Sequence, residues 1–216
     1  MADIELSPDI MQAGDVEFLR LEIIDTKNNN VRYNLLGSFV DFTIYEDIFS
    51  PVLTGYVALV ESQNLITEIP IVGEELLLAE FRTPGRDPIS CLFHISEIGI
   101  REHNDKKNAY TLELISYEGF KDLNLRFSSA YHGNTSEMAK NFYMKVFNKE
   151  LYADVSDNRI KFVSPYWGPL KIINHIASKA VYPNTKMITP DYLFYQTSSG
   201  QHKFKSLSNL TSASLS

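Results

Sequence analysis

From Val16 to Glu118 the chain repeats one pattern: a run rich in β-branched and aromatic residues, a short turn, then another run. "VEFLRLEII" (Val16–Ile24) is followed by the turn cluster "DTKNNN". After it come "FVDFTIYED", "GYVALVES", "GEELLLAEFRT" from Gly73, the long "ISCLFHISEIGIREH", and "AYTLELISYE" beyond the polar turn Asp105–Asn108. Apolar residues recur at every second position in most of these runs; Tyr110, Leu112 and Leu114 alternate with Thr111, Glu113 and Ile115. A period of two describes half-buried strands. Strands joined by short turns, with no helical crossover, pair antiparallel. About six such strands favour a small barrel or sandwich.

Past Tyr117 the period lengthens. "NTSEMAKNFYMKVFNK" predicts a helix capped by Asn134, with Glu137 three residues on. Met138, Phe142 and Val146, widened by Ala139 and Tyr143, form its apolar face. A second helix starts near Pro169, which suits a first turn. Its stripe is Leu170, Ile173, Ile176, Ala177 and Ala180, and Pro183 stops it. "YLFYQ", "TSSG" and "HKFKS" read as a hairpin. The fold class is therefore α+β: an antiparallel β-barrel followed by a smaller, helix-containing α/β domain. The expected bounds are an N-terminal extension at 1–13, the barrel at 14–127, the second domain at 128–210 and a frayed tail at 211–216.

The 216 residues carry 27 acidic and 20 basic side chains, a net charge of −7 that disfavours general binding to phosphates. No apolar run is long enough to span a bilayer, so no membrane insertion is expected. "MADIELSPDI" lacks the basic and apolar regions of a signal peptide. Cys91 is the single cysteine. It rules out an internal disulfide and reads as a small buried hydrophobe, in keeping with a reducing cytoplasm.

Motifs for chemistry are missing from the sequence. His94, His103, His132, His175 and His202 show no metal-site spacing, and there is no nucleophile elbow, P-loop or dinucleotide fingerprint. The adjacent pairs Glu46–Asp47 and Glu74–Glu75 would point to opposite faces of a strand, which does not suit acid–base work. The expectation is no enzyme, no catalytic or metal-binding residues and no cofactor. Trp167, in "PYWGP", is expected to pack as a staple on the helix beginning at Pro169. With Tyr166 it also offers an alternative reading, a β-rich glycan-binding module.

One segment is out of character. "EDIFSPVLTGYVALVES" bends between two strands, yet Ile48, Phe49, Pro51 and Val52 stand where a solvated turn would carry Asn, Asp, Gly or Ser. Apolar residues on an exposed turn call for a partner. These four are the expected subunit-interface residues. Burying a side chain such as Phe49 or Val52 contributes about 1.5–3 kcal/mol before association costs.

The order of segments resembles a known family. "FVDFTIYEDIFSPVLTGYVALVES…GEELLLAEF", then "CLFHISEIGIREHNDKKNAYTLELISYE", then "NTSEMAKNFYMKVF", "VSPYWGPLKIINHIASKAV" and "YLFYQTSSGQHKFKSLSNL" are similar to the first barrel and following segments of contractile-tail baseplate hub proteins. These are the trimeric hubs of T-even-type phages, related to the N-terminal part of type VI secretion spikes. The resemblance spans about Phe39–Leu210 and lies in order and spacing more than in identity. It implies a tail-tube-like barrel and a structural role in the virion, at the tail baseplate, adapting the tail tube to the central spike. It implies a homotrimer assembled in the host cytoplasm. The partners it implies are tail-tube or tube-initiator proteins, the spike and the tape-measure protein. Members of the family continue into a second barrel, so this chain would be a portion of a longer protein or a reduced form.

In that reading part of the surface lines a channel for genome ejection. Acidic walls repel phosphates over roughly 8 Å at physiological salt. No measurable affinity for duplex DNA is expected at physiological ionic strength. A fluorescence-anisotropy titration across a salt series checks this; sub-micromolar, steeply salt-dependent binding would reveal a phosphate-binding surface.

Overall fold

The structure, a computed structural model, describes residues 15–61, 71, 73, 75–83, 85–104, 107–183 and 190–212. The expected N-terminal extension, most of the turn at 68–73, Glu74 and half of the Asp105–Asn108 turn lie outside them. The chain forms two compact units. The first holds the described residues up to Thr43 and Tyr56–Leu114; the second holds Ile44–Gly55 and the chain from Ile115 onward. The boundary expected after residue 127 thus falls after Leu114, and the apolar bend belongs to the second unit.

The first unit is framed by seven strands: β1 (Glu17–Asp25), β2 (Val31–Asn34), β3 (Phe39–Tyr45), β4 (Thr54–Glu61), β5 (Leu76–Arg82), β6 (Ile89–Asn104) and β7 (Lys107–Ser116). They form one sheet in the order β2-β1-β5-β6-β7-β4-β3. The period of two is realised in its core. Leu21 and Ile23, Val57 and Leu59, Leu77 and Ala79, Phe93 and Ile95, and Leu112 and Leu114 are all at most 2% exposed. Cys91 joins that face, and burial pushes its thiol up to about 11. The turn after β1 uses asparagine chemistry. Asp25 Oδ1 accepts the amides of Lys27 and Asn28. Asn29 and Asn30 take φ of 49° and 57°, a region Asn tolerates.

The sheet is a curled half-barrel, and aromatic side chains draw its two sides together. Phe18 of β1 lies 4.8 Å from Phe39 and 5.5 Å from Phe42, both on β3 at the far end of the strand order. Phe81 of β5 completes the cluster, 5.7 Å from Phe18 and 5.9 Å from Phe42. The closure expected of a barrel is thus made here by tilted and edge-to-face rings, the geometry that ring quadrupoles favour.

The second unit packs four helices with short strands. α1 (Tyr117–Asn124) begins where β7 ends, capped by Ser116 Oγ, which accepts the Gly119 amide. β8 (Ala130–Asn134) and β10 (Arg159–Val163) make an antiparallel ribbon; between them in sequence run α2 (Thr135–Phe147) and β9 (Tyr152–Ala153). α3 (Pro169–Ala177) follows, then the hairpin β11 (Tyr192–Gln196) and β12 (His202–Ser206), and α4 (Leu207–Ser212). The α2 cap is as predicted: Asn134 Oδ1 accepts the amides of Ser136 and Glu137. The stripes of α2 and α3 meet in one core that includes Tyr143, Ile172, Ile173, Ile176, Phe194 and Phe204. Gly168, ahead of α3, leaves room for Asp122, whose Oδ1 accepts the Leu170 amide at 2.7 Å. Of the tail expected to fray, Thr211 and Ser212 belong to α4, which is held by Asp191 through the amides of Leu207 and Ser208, and 213–216 lie outside the described residues.

The aromatic cluster gives a direct test. Phe18→Ala should lower the unfolding free energy by about 2 kcal/mol, below the 3–5 kcal/mol of a fully buried ring because Phe18 is half-buried. Phe49→Ala, on an exposed turn, should change it by less than about 0.5 kcal/mol. Urea unfolding of the two variants makes the comparison; equal losses would place Phe49 in a core.

Candidate functional site

The apolar bend has no helix or strand of its own, so its shape depends on what it touches. Asp47 fixes the turn locally: Oδ1 accepts the Phe49 amide at 2.8 Å, and its carbonyl accepts the Ser50 amide. Ser50 Oγ donates to the Val52 carbonyl and accepts the Val52 amide. Several other polar groups of the bend are taken up by the hairpin β11–β12. Leu53 donates its amide to Gln196 Oε1 at 3.1 Å, and the Gln196 amide donates to the Ser50 carbonyl. Ser198 donates its amide to Glu46 Oε2 at 2.7 Å. On the other side the Leu53 carbonyl accepts the Ser116 amide at the start of α1.

His202 anchors this arrangement. Its Nε2 lies 2.8 Å from the Pro51 carbonyl, which can only accept. Nε2 therefore carries the proton, and Nδ1 accepts from the Tyr143 hydroxyl at 2.9 Å. The ring is 1% exposed and lies between Tyr143 and Phe194. Beside it Glu118, 2% exposed, accepts from Gln196 Nε2 at 3.1 Å and from Lys149 Nζ at 2.6 Å. A buried carboxylate, an amide, an imidazole and a phenol are thus all satisfied, and together they hold a loop about 150 residues away in sequence.

The structure divides the four expected interface residues. Val52 turns inward against the core of its own unit, where Gly119 admits it: a Cβ there would meet Val52 Cγ1 at 2.6 Å. Pro51 is half-buried, and its carbonyl is held by His202. Ile48 and Phe49 point away, at 39% and 73% exposure. The bend is thus an exposed apolar tip on a fixed base.

The residues of the glycan-binding alternative are only partly available. Trp167 packs on α3, as a staple should: its ring lies 5.2 Å from the His175 ring, and Lys171 Nζ sits over it at 5.2 Å. Tyr166 is 71% exposed on a left-handed backbone, φ 58°. His175 is half-buried against Phe162, and burial, then Lys179, lowers its pKa. His94 is buried in the first unit, its pKa lowered by burial, and His132 is exposed. The described residues hold no group of three or more His, Cys, Asp or Glu suited to a metal ion.

No family model matches the sequence, and no curated protein matches it. The fold does have relatives among solved structures. It aligns with the 43 kDa tail protein of prophage MuSo2 from Shewanella oneidensis at a TM-score of 0.58 and 7% identity, over 86% of this chain and 53% of that one. It aligns with the tail protein from Neisseria meningitidis MC58 at a TM-score of 0.53 and 10% identity, over 86% and 49%. A looser alignment, at a TM-score of 0.48 and 9% identity over 91% and 30%, is with the Francisella PdpA–VgrG complex. The chain shares its fold with these two tail proteins over 86% of its length, and it spans about half the length of each.

The His202 anchor makes stability depend on pH. Burial disfavours the charged ring; Glu118 and the Pro51 carbonyl oppose that, Lys149 adds to it, and the net pKa is lowered from 6.5. As pH falls through 6.5 the unfolded chain takes up a proton that the folded chain refuses. The stabilisation is full above that value and is lost below it. Urea midpoints should therefore fall between roughly pH 7.5 and pH 5, and His202→Gln should be less stable at the upper pH with a flatter profile. A His202→Gln profile parallel to the parent's would remove His202 from the account.

Proposed function

We propose that this chain is a structural component of a phage tail, acting as a baseplate hub that adapts the tail tube to the central spike. The observation that carries the reading is the fold shared with two tail proteins, one of them from a prophage, over 86% of the chain. The apolar tip agrees with it, since a subunit of an assembly works through surfaces. In this reading the chain is not an enzyme. It acts as a homotrimer within the virion, in contact with tail-tube or tube-initiator proteins, the spike and the tape-measure protein. It is assembled in the host cytoplasm, belongs to a contractile tail and lets the genome pass at ejection without binding it. Ile48 and Phe49 supply interface area, while Pro51 and Val52 hold the bend in place.

Antibody raised against the purified chain, visualised with gold on tailed particles from cells that encode it, should mark the end of the tail distal to the head. Particles carrying no chain, by labelling and by mass spectrometry, would overturn the reading. Label along the whole tube would assign a tube subunit in place of a hub.

A further inference from the structure

A ring of three or more copies cannot be built from one self-complementary patch. Each chain must present two different surfaces that fit one another. The second unit carries such a pair. One member is the bend. Its apolar tip, Ile48 and Phe49, is flanked by Glu46 and Asp47, and no Lys or Arg occurs between Ile44 and Gly55. The other is a groove along β8. It consists of two cavities of about 290 and 540 Å³ that share Tyr131 and His132. Its apolar surface is Tyr131, with Phe142 edge-on at 5.5 Å and Met138 alongside, in the first cavity, and Ala130 and the exposed Val163 in the second, backed on the core side of the ribbon by the Tyr131–Phe162 stack at 5.0 Å and 18°. Its rim carries Lys145, Lys161 and His132 against a single carboxylate, Glu137. No ion pair engages Lys145 or Lys161 among the described residues.

We infer that the Ile48–Phe49 tip of one copy seats in the β8 groove of the next, joining copies head to tail. This deepens the hub proposal and rests on it for the expectation that copies associate. Size permits the fit, since a cavity of about 150 Å³ already holds benzene. Charge complementarity favours it, because the acidic flanks of the tip meet the cationic rim of the groove. Preorganisation favours it too. The tip is fixed by the Asp47 turn and by the Gln196 and His202 hydrogen bonds, so docking orders little that is not already ordered. The bend and the groove are different surfaces, so the contact is heterologous and closes into a ring if the rotation allows.

The test uses the full chain in sedimentation velocity over a wide concentration range. Self-association should be concentration-dependent and weaken as salt rises. Phe49→Asp removes the tip and leaves the groove; Lys145→Glu with Lys161→Glu reverses the rim and leaves the tip. All three positions are exposed, so circular dichroism and melting should match the parent; Phe49→Ser replaces Phe49→Asp if that variant melts early. Each variant alone should need at least about tenfold more protein to associate. Mixed in equal amounts, they should form one-to-one heterodimers and nothing larger, because only one competent tip and one competent groove remain in each pair. A parent chain that stays monomeric overturns the contact. So does a variant that assembles like the parent, or a mixture that yields no heterodimer. The gold label on particles is independent of all three, so failure of this contact and failure of the hub reading are told apart.

Discussion

The arrangement of the second unit depends on one buried group of hydrogen bonds. Ser50, Pro51 and Leu53 offer backbone groups from outside any helix or strand, and an unpaired buried backbone group costs about as much as a lost hydrogen bond. Gln196 and His202 meet that requirement from one hairpin, and Glu118 and Tyr143 meet the needs of Gln196 and His202 in turn. Each member is satisfied by another, so removing one leaves a neighbour stranded. The same group determines which apolar residues of the bend are hidden and which are offered. Val52 goes inward because Leu53 and Pro51 are pinned on either side of it, and Ile48 and Phe49 are left on the outer side of the Asp47 turn.

Charge is divided between the units as sharply as contacts are. The stretches of the first unit, 1–43 and 56–114, contain 18 acidic and 8 basic residues; those of the second contain 9 acidic and 12 basic. The overall charge of −7 conceals this. The acidic excess therefore lies in the strand unit, while the second unit carries a small basic excess.

Much of the fold was legible in the sequence, because periodicity and capping are local. Strands β1, β3 to β7, β11 and β12, the Asn134 cap, the Pro169 start and the stripes of α2 and α3 all follow from residues within a few positions of each other. α1 was missed since "YEGFKDLN" carries Gly119 and continues directly from a strand, and its start rests on the Ser116 side chain. The ribbon β8–β10 was missed because its strands are five residues each and pair residues 25 to 33 positions apart. The bend was recognised as anomalous, but its partners were not: Gln196 and His202 look like ordinary polar positions of a hairpin. Only tertiary pairing shows that the alternation buries Tyr192, Phe194 and Gln196 on one strand and His202, Phe204 and Ser206 on the other, mixing polar and apolar side chains on one inward face. A buried glutamine and histidine carry no local signal of their role.

The distance along the chain between the bend and its anchor also sets an order of events. Pro51 leaves the ribosome 151 residues before His202. At 5–20 residues per second, the bend is made roughly eight to thirty seconds before its anchor exists. During that interval the strands on either side of it can pair and the Asp47 turn can form, while the Pro51 carbonyl and the Leu53 amide lack their partners. Its outward tip reaches its final geometry only in a finished chain. A contact that requires that geometry is therefore open only to a completed chain.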